Sequence, residues 1–121
     1  MSVKRATRVA SLLREVLSEI IATQIKDPAV GRITVSRVSV TDDLRSAKVY
    51  YNMLGTGEER EAALAGLNRA RGFVRSELGK RTTFRRVPEL QFVYDDTLDY
   101  AERIEELLKQ IHKPDSTKSQ E

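Results

Sequence analysis

The 121-residue sequence predicts an α+β domain of two layers, a three-stranded sheet with helices covering one face. Two neighbouring runs rich in Val, Ile, Thr and Tyr, residues 32–41 and 46–54, are separated by a polar turn. A third alternating run lies at 89–96, and apolar residues recur at three- and four-residue spacing before, between and after the runs. The order that follows is helix, strand, strand, helix, kink, helix, strand, helix.

Val9, Leu13, Val16, Leu17, Ile20 and Ile21 line one side of a first helix ending near Ile25. Its basic start, MSVKRATRVASLL, has the composition of an organellar leader, but the apolar stripe runs on without a break, so the segment reads as the first turns of that helix. KDPAVG stops it, because Asp27 precedes Pro28 and Gly31 frees the backbone to turn. In RITVSRVSVT the apolar parity shifts from Ile33 and Val35 to Val38 and Val40, which predicts a bulge near Ser36. DDLR is a turn, and SAKVYYNML returns as an antiparallel partner with Ala47, Val49, Tyr51 and Met53 on one face.

GTGEEREAALAGLNRA opens on a glycine turn and places Glu58 and Glu59 at the positive end of a helix dipole. Ala63, Leu64, Leu67 and Ala70 form its packing side. Gly72 interrupts the pattern, which resumes with Phe73, Val74 and Leu78, so two helices are expected to meet there. VPEL leads into the third strand, with Leu90, Phe92 and Tyr94 alternating. Leu98, Ala101, Ile104, Leu108 and Ile111 mark a last amphipathic helix. A single domain over 1–112 and a disordered tail over 113–121 complete the expectation, since the tail has no apolar residue after Pro114. With every apolar stripe assigned to one core, the chain is expected to be a monomer.

Hydrophobic residues are 40% and charged residues 32%, the composition of a folded soluble protein, and no run approaches a membrane span. The absence of cysteine excludes disulfides and thiolate chemistry and suits a reducing, cytoplasmic setting. His112, the single histidine, lies too near the end to suggest a catalyst or a ligand. No nucleophile with its base and no phosphate-binding glycine motif occurs, so neither an enzyme nor a cofactor is expected. Asp42 and Asp43 read as turn residues, Asp95, Asp96 and Asp99 as helix caps rather than metal ligands, and Gly55 and Gly57 as a weak anion site at best.

The net charge of +3 understates how the charge is distributed. Residues 1–14 carry Lys4, Arg5, Arg8 and Arg14 with no acid, whereas 95–109 carry six acids against Arg103 and Lys109. Between 69 and 86 lie Arg69, Arg71, Arg75, Lys80, Arg81, Arg85 and Arg86 against one carboxylate, Glu77. A solvated face mixes signs, so this pattern points to a polyanion. A helix starting at the Gly72 junction would offer backbone N–H groups to a phosphate, with the surrounding cations neutralising charge. Lys4, Arg5 and Arg8 would join them, and Arg45 and Lys48 would extend the face from the hairpin. The aromatic residues sit in strands or on an apolar helix face, so phosphates of a shaped RNA are the expected target.

Four blocks, IKDPAVG, VSVTDDLRSAKVYY, ARGFVRSELGKR and VPELQFVYDDTL, resemble the bacterial ribosome-binding factor A family in order and spacing over residues 4–112. The resemblance implies a KH-like domain (type II) in which an interhelical Ala-x-Gly kink, here Ala70, Arg71 and Gly72, stands in for the G-x-x-G loop that this chain lacks. It further implies a non-enzymatic assembly factor that binds the free 30S small ribosomal subunit. Such a factor assists late maturation and 5′-end processing of 16S rRNA, matters in the cold and is released by an assembly GTPase. The competing reading is a protein-binding adaptor that uses the acidic last helix.

Overall fold

The computed structural model describes residues 3–117, with the side chains of residues 3, 4, 98 and 112–117 outside the description. Helix α1 spans Val3–Gln24, and a 3-10 turn at Pro28–Val30 leads into strand β1, Thr34–Val40. Strand β2, Ser46–Asn52, is followed by helix α2, Gly57–Arg81, strand β3, Glu89–Tyr94, and helix α3, Thr97–Thr117. The sheet order is β1-β2-β3, with β1 antiparallel and β3 parallel to the central β2. A parallel pair needs a long crossover, and α2 supplies it.

One core joins the layers. Leu13, Leu17, Ile20 and Ile21 of α1 and Leu67, Val74 and Leu78 of α2 pack on Ala47, Val49, Tyr51, Leu90 and Phe92 of the sheet. The strand register shifts between Val35 and Arg37, at the bulge that the parity change predicts. The shift lets both Val35 and Val38 lie opposite core-facing residues of β2, Tyr51 and Val49. The turn between β1 and β2 is closed by Asp43, whose Oδ1 accepts from Thr41 Oγ1 at 2.7 Å and from the Arg45 amide at 3.0 Å.

Helix α2 starts with a capping box, in which Thr56 Oγ1 accepts from the Glu59 amide and the Glu59 carboxylate accepts from the Thr56 amide. It then runs as a single helix through Gly72 to Arg81, so the expected junction of two helices is corrected to one. Gly72 has no positive φ, and a Cβ built there meets nothing within 4 Å. The energetics explain the continuity. A helical glycine costs about 1 kcal/mol, whereas burying Val74 and Leu78 beyond it contributes roughly 1.5–3 kcal/mol each. The glycine that the packing requires is Gly66, where a Cβ would lie 2.8 Å from Val30 Cγ2 and 2.9 Å from Asp27 Oδ2.

Asp95 joins the sheet to α3. Its carboxylate accepts from the Thr97 amide and hydroxyl and from Ser36 Oγ, the bulge residue, with Arg37 at 3.7 Å. The hydrogen bonds from Thr97 and Ser36 hold its pKa down at about 2. Asp95 therefore caps as expected, and it also fixes the bulge. Asp99, in the first turn, pairs with Arg60 at 3.2 Å and accepts from the Tyr94 hydroxyl at 3.1 Å. Beyond that turn α3 departs from expectation, because Ala101 to Ile111 are all exposed. Its apolar stripe is not part of the core, so the premise behind the expected monomer fails. The helix also continues past residue 112 to Thr117, while His112 and residues 118–121 of the expected tail lie outside the described side chains and residues respectively.

Candidate nucleic-acid interface

The cations expected to act together between 69 and 86 divide into two groups. On α2, most are engaged by the protein itself. Arg69 pairs with Asp27 at 2.7 Å, and that contact, with the Ala29 amide, lowers the Asp27 pKa. Arg71 donates to Asn68 Oδ1 at 2.7 Å. Arg75 donates through Nε to the Pro88 carbonyl at 3.0 Å and through its terminal nitrogen to the Val87 carbonyl at 2.7 Å. These bonds tie the loop before β3 to α2. Lys80 pairs with Glu77 at 3.4 Å, and Arg81 lies 3.6 Å from both Glu77 and Glu19.

The surroundings of Ala70, Arg71 and Gly72 differ from the expected phosphate site. No helix begins there, the amides lie inside α2, and the flanking arginines have protein partners. Arg69, Arg75 and Arg81 find partners at distant chain positions, Asp27, Val87 and Pro88, and Glu19. Local charge counting cannot see them.

The other group converges from three elements. Arg5 on α1, Arg45 at the end of the β1–β2 turn, and Arg85 and Arg86 in the loop after α2 line one open cleft of about 890 Å³. Its walls include Val9, Leu12, Leu44 and Phe84, and Asp43 is the acid that lines it. Leu44 reaches this position through a positive φ of 62°, which the tight turn imposes. Arg85 and Arg86 are exposed, and neither forms an ion pair among the described residues. Arg5 and Arg45 are exposed as well. Arg8 is exposed on α1 one turn beyond Arg5, and the Lys4 side chain lies outside the description.

Lys48 does not share this cleft. It sits on the uncovered face of the sheet, in a smaller hollow of about 390 Å³ with Ser39, Tyr50 and Gln91. On the same face Arg37 stacks over the Tyr50 ring, 3.8 Å from its centroid. Tyr50 is half-buried there and Phe73, on α2, is exposed, whereas Tyr51 and Phe92 are buried as expected. Among the described residues no cluster of three His, Asp or Glu is arranged to hold a metal ion, and no helix is long and apolar enough to cross a membrane.

A small α+β domain with β1-β2-β3 order, an α2 crossover and an arginine-rimmed cleft at one end defines a binding module with a cationic surface. The family model for ribosome-binding factor A matches residues 5–108, and the chain belongs to that family. It is 48% identical to the ribosome-binding factor A of Syntrophobacter fumaroxidans over 93% of this chain and 98% of the relative. It is 44% identical to that of Staphylococcus carnosus over 95% of this chain and all of the relative. Among solved structures, the crystal structure of the Thermus thermophilus factor superposes with a TM-score of 0.66 at 28% identity, covering 74% of this chain and 94% of that one. A solution structure of a Thermotoga maritima protein described as a putative ribosome-binding factor A superposes with a TM-score of 0.67 at 35% identity, covering 77% and 89%. A homology model of the Thermus thermophilus factor, fitted into the map of a 30S complex, has a TM-score of 0.61 at 29% identity over 71% and 90%.

Proposed function

We propose that this protein is a non-enzymatic assembly factor that binds the free 30S small ribosomal subunit through phosphates of 16S rRNA. The observation that carries the reading is the convergence of Arg5, Arg45, Arg85 and Arg86 on one cleft. Four guanidinium groups around a concave surface match closely spaced phosphates, for which arginine offers forked donors that lysine lacks. Family membership and the relative fitted into a 30S complex support the choice of target.

In this reading the domain acts by binding alone. The arginines hold neighbouring RNA strands whose mutual repulsion would otherwise separate them, and the complex persists until late maturation and 5′-end processing are complete. An assembly GTPase then promotes release, and the need is greatest in the cold, where misfolded RNA rearranges slowly. The site of action is the cytoplasm. Lys4, Arg8 and Lys48 are secondary contacts, and the α2 cations act mainly within the fold.

Sedimentation with separated subunits and intact ribosomes tests the reading. Co-migration with the small subunit, weakening steeply as salt rises, is expected from counterion release. Equal co-migration with all particles, or none with any, would refute it.

A further inference from the structure

We propose that the arginine-rimmed cleft takes up an unpaired RNA base against Leu44 and Phe84, while the arginines hold the phosphates on either side of it. The inference rests on the phosphate reading of the same cleft and adds the structural class of the ligand, single-stranded RNA.

Phosphates alone do not account for the cleft. An RNA duplex offers its backbone outward and keeps its bases stacked inside, where an apolar wall cannot reach them. Here the arginines surround apolar side chains. Val9, Leu12, Leu44 and Phe84 form the walls; Leu12 is 44% exposed, and Leu44 and Phe84 are half-buried. Phe84 is the one aromatic residue among the described residues that lies outside a helix or strand. It packs on the core and also lines the cleft, so it is held in place before any ligand arrives. Arg85 and Arg86 follow it directly and form no ion pair among the described residues. Cations beside an aromatic ring are the combination with which single-strand binders track a backbone and stack its bases.

Leu44 supplies an independent observation. Its φ of 62° is a conformation that leucine adopts rarely and at a cost, and strain of this kind gathers at ligand sites. Leu44 stands apart from the core cluster, so burial in the core does not offset the strain. The turn instead places an apolar side chain on the cleft wall. Asp43, the acid in that wall, already accepts from Thr41 and the Arg45 amide and serves the turn. Ala70, Arg71 and Gly72 do not line the cleft.

Fluorescence anisotropy of the full chain with labelled oligouridylate, and with a blunt RNA duplex of equal phosphate number, tests the inference across a salt series. The single strand should bind tighter by about fivefold or more, the effect of one stacked base. Phe84→Leu keeps an apolar side chain on the core, and Leu44→Asn keeps a residue that accepts positive φ, so both should stay close to the parent melting temperature. Each should weaken the single strand, leave the duplex unchanged and keep the parent salt slope, since neither side chain neutralises a phosphate. Arg85→Ala with Arg86→Ala should weaken both RNAs and lower the slope. Equal affinity for the two RNAs, affinity for neither, or wall variants that bind the single strand as the parent does would overturn the inference. Equal affinity with a steep salt slope would leave the phosphate reading standing, whereas a flat slope would end both.

Discussion

Arg69, Arg75 and Arg81 on α2 and Arg85 and Arg86 in the loop after it are the same chemical group, and the fold uses them in opposite ways. Arg69, Arg75 and Arg81 reach carboxylates or carbonyls from distant parts of the chain, so their charge serves to join elements. Arg85 and Arg86 extend from a loop, and Arg5 and Arg45 come to meet them from α1 and the hairpin turn. A count of cations along the sequence cannot separate these groups. The separation depends on which carbonyls and carboxylates the tertiary fold delivers to each guanidinium.

The largest effect that would sharpen the comparison is on binding. Arg85→Ala with Arg86→Ala should weaken association with the small subunit by on the order of tenfold or more, read by co-sedimentation at fixed salt. Its melting temperature should stay nearly unchanged, because surface substitutions away from structural contacts usually alter stability by less than about 0.5 kcal/mol.

Arg75→Ala should do the reverse. Losing its donors leaves the Val87 and Pro88 carbonyls short of partners, at a cost of roughly 1–3 kcal/mol measured by denaturant unfolding. Any loss of binding should track the loss of folded protein. A fully stable Arg75→Ala that fails to bind would place this residue with the cleft group and break the distinction.

Acid should act most strongly through the buried junction at Asp95, where the pKa is lowered furthest. The folded Asp95 pKa of about 2 lies below its ordinary value of 3.8. The carboxylate thus contributes stability that is complete above about pH 4 and is lost as pH falls through about 2. At 1.36 kcal/mol per unit this amounts to roughly 2 kcal/mol, visible as a fall in melting temperature over that window. Asp95→Asn should remove most of that dependence.

The smallest effects concern two glycines of α2. Gly66→Ala drives a Cβ toward Val30 and Asp27, so it should destabilise by about 1 kcal/mol or more. Gly72→Ala meets open space within a regular helix and should stabilise by about 0.5–1 kcal/mol. Thermal unfolding of the two variants separates a packing glycine from one that the helix merely tolerates.

Much of the fold was legible from periodicity. The parity change in RITVSRVSVT located the bulge, and alternation in β2 and β3 gave their buried faces. Gly72 misled because a local break signal of about 1 kcal/mol competes with burial on both sides, and burial cannot be weighed without the core. The α3 stripe misled for a related reason. Periodicity shows that a face is apolar, but it does not show whether the same chain covers it. The candidate site was legible in part, since Arg5, Arg45, Arg85 and Arg86 were all named from charge. Their convergence was hidden because 80 residues of chain separate Arg5 from Arg85.

The salt dependence of binding to the small subunit, compared between Arg85→Ala/Arg86→Ala and Lys80→Ala/Arg81→Ala, tests the division most directly. The slope of log affinity against log salt should fall by about two in the cleft variant, roughly one for each phosphate left without its arginine, and stay close to the parent in the α2 variant. A slope unchanged in the cleft variant but reduced in the α2 variant would contradict the account and return the interface to the helix.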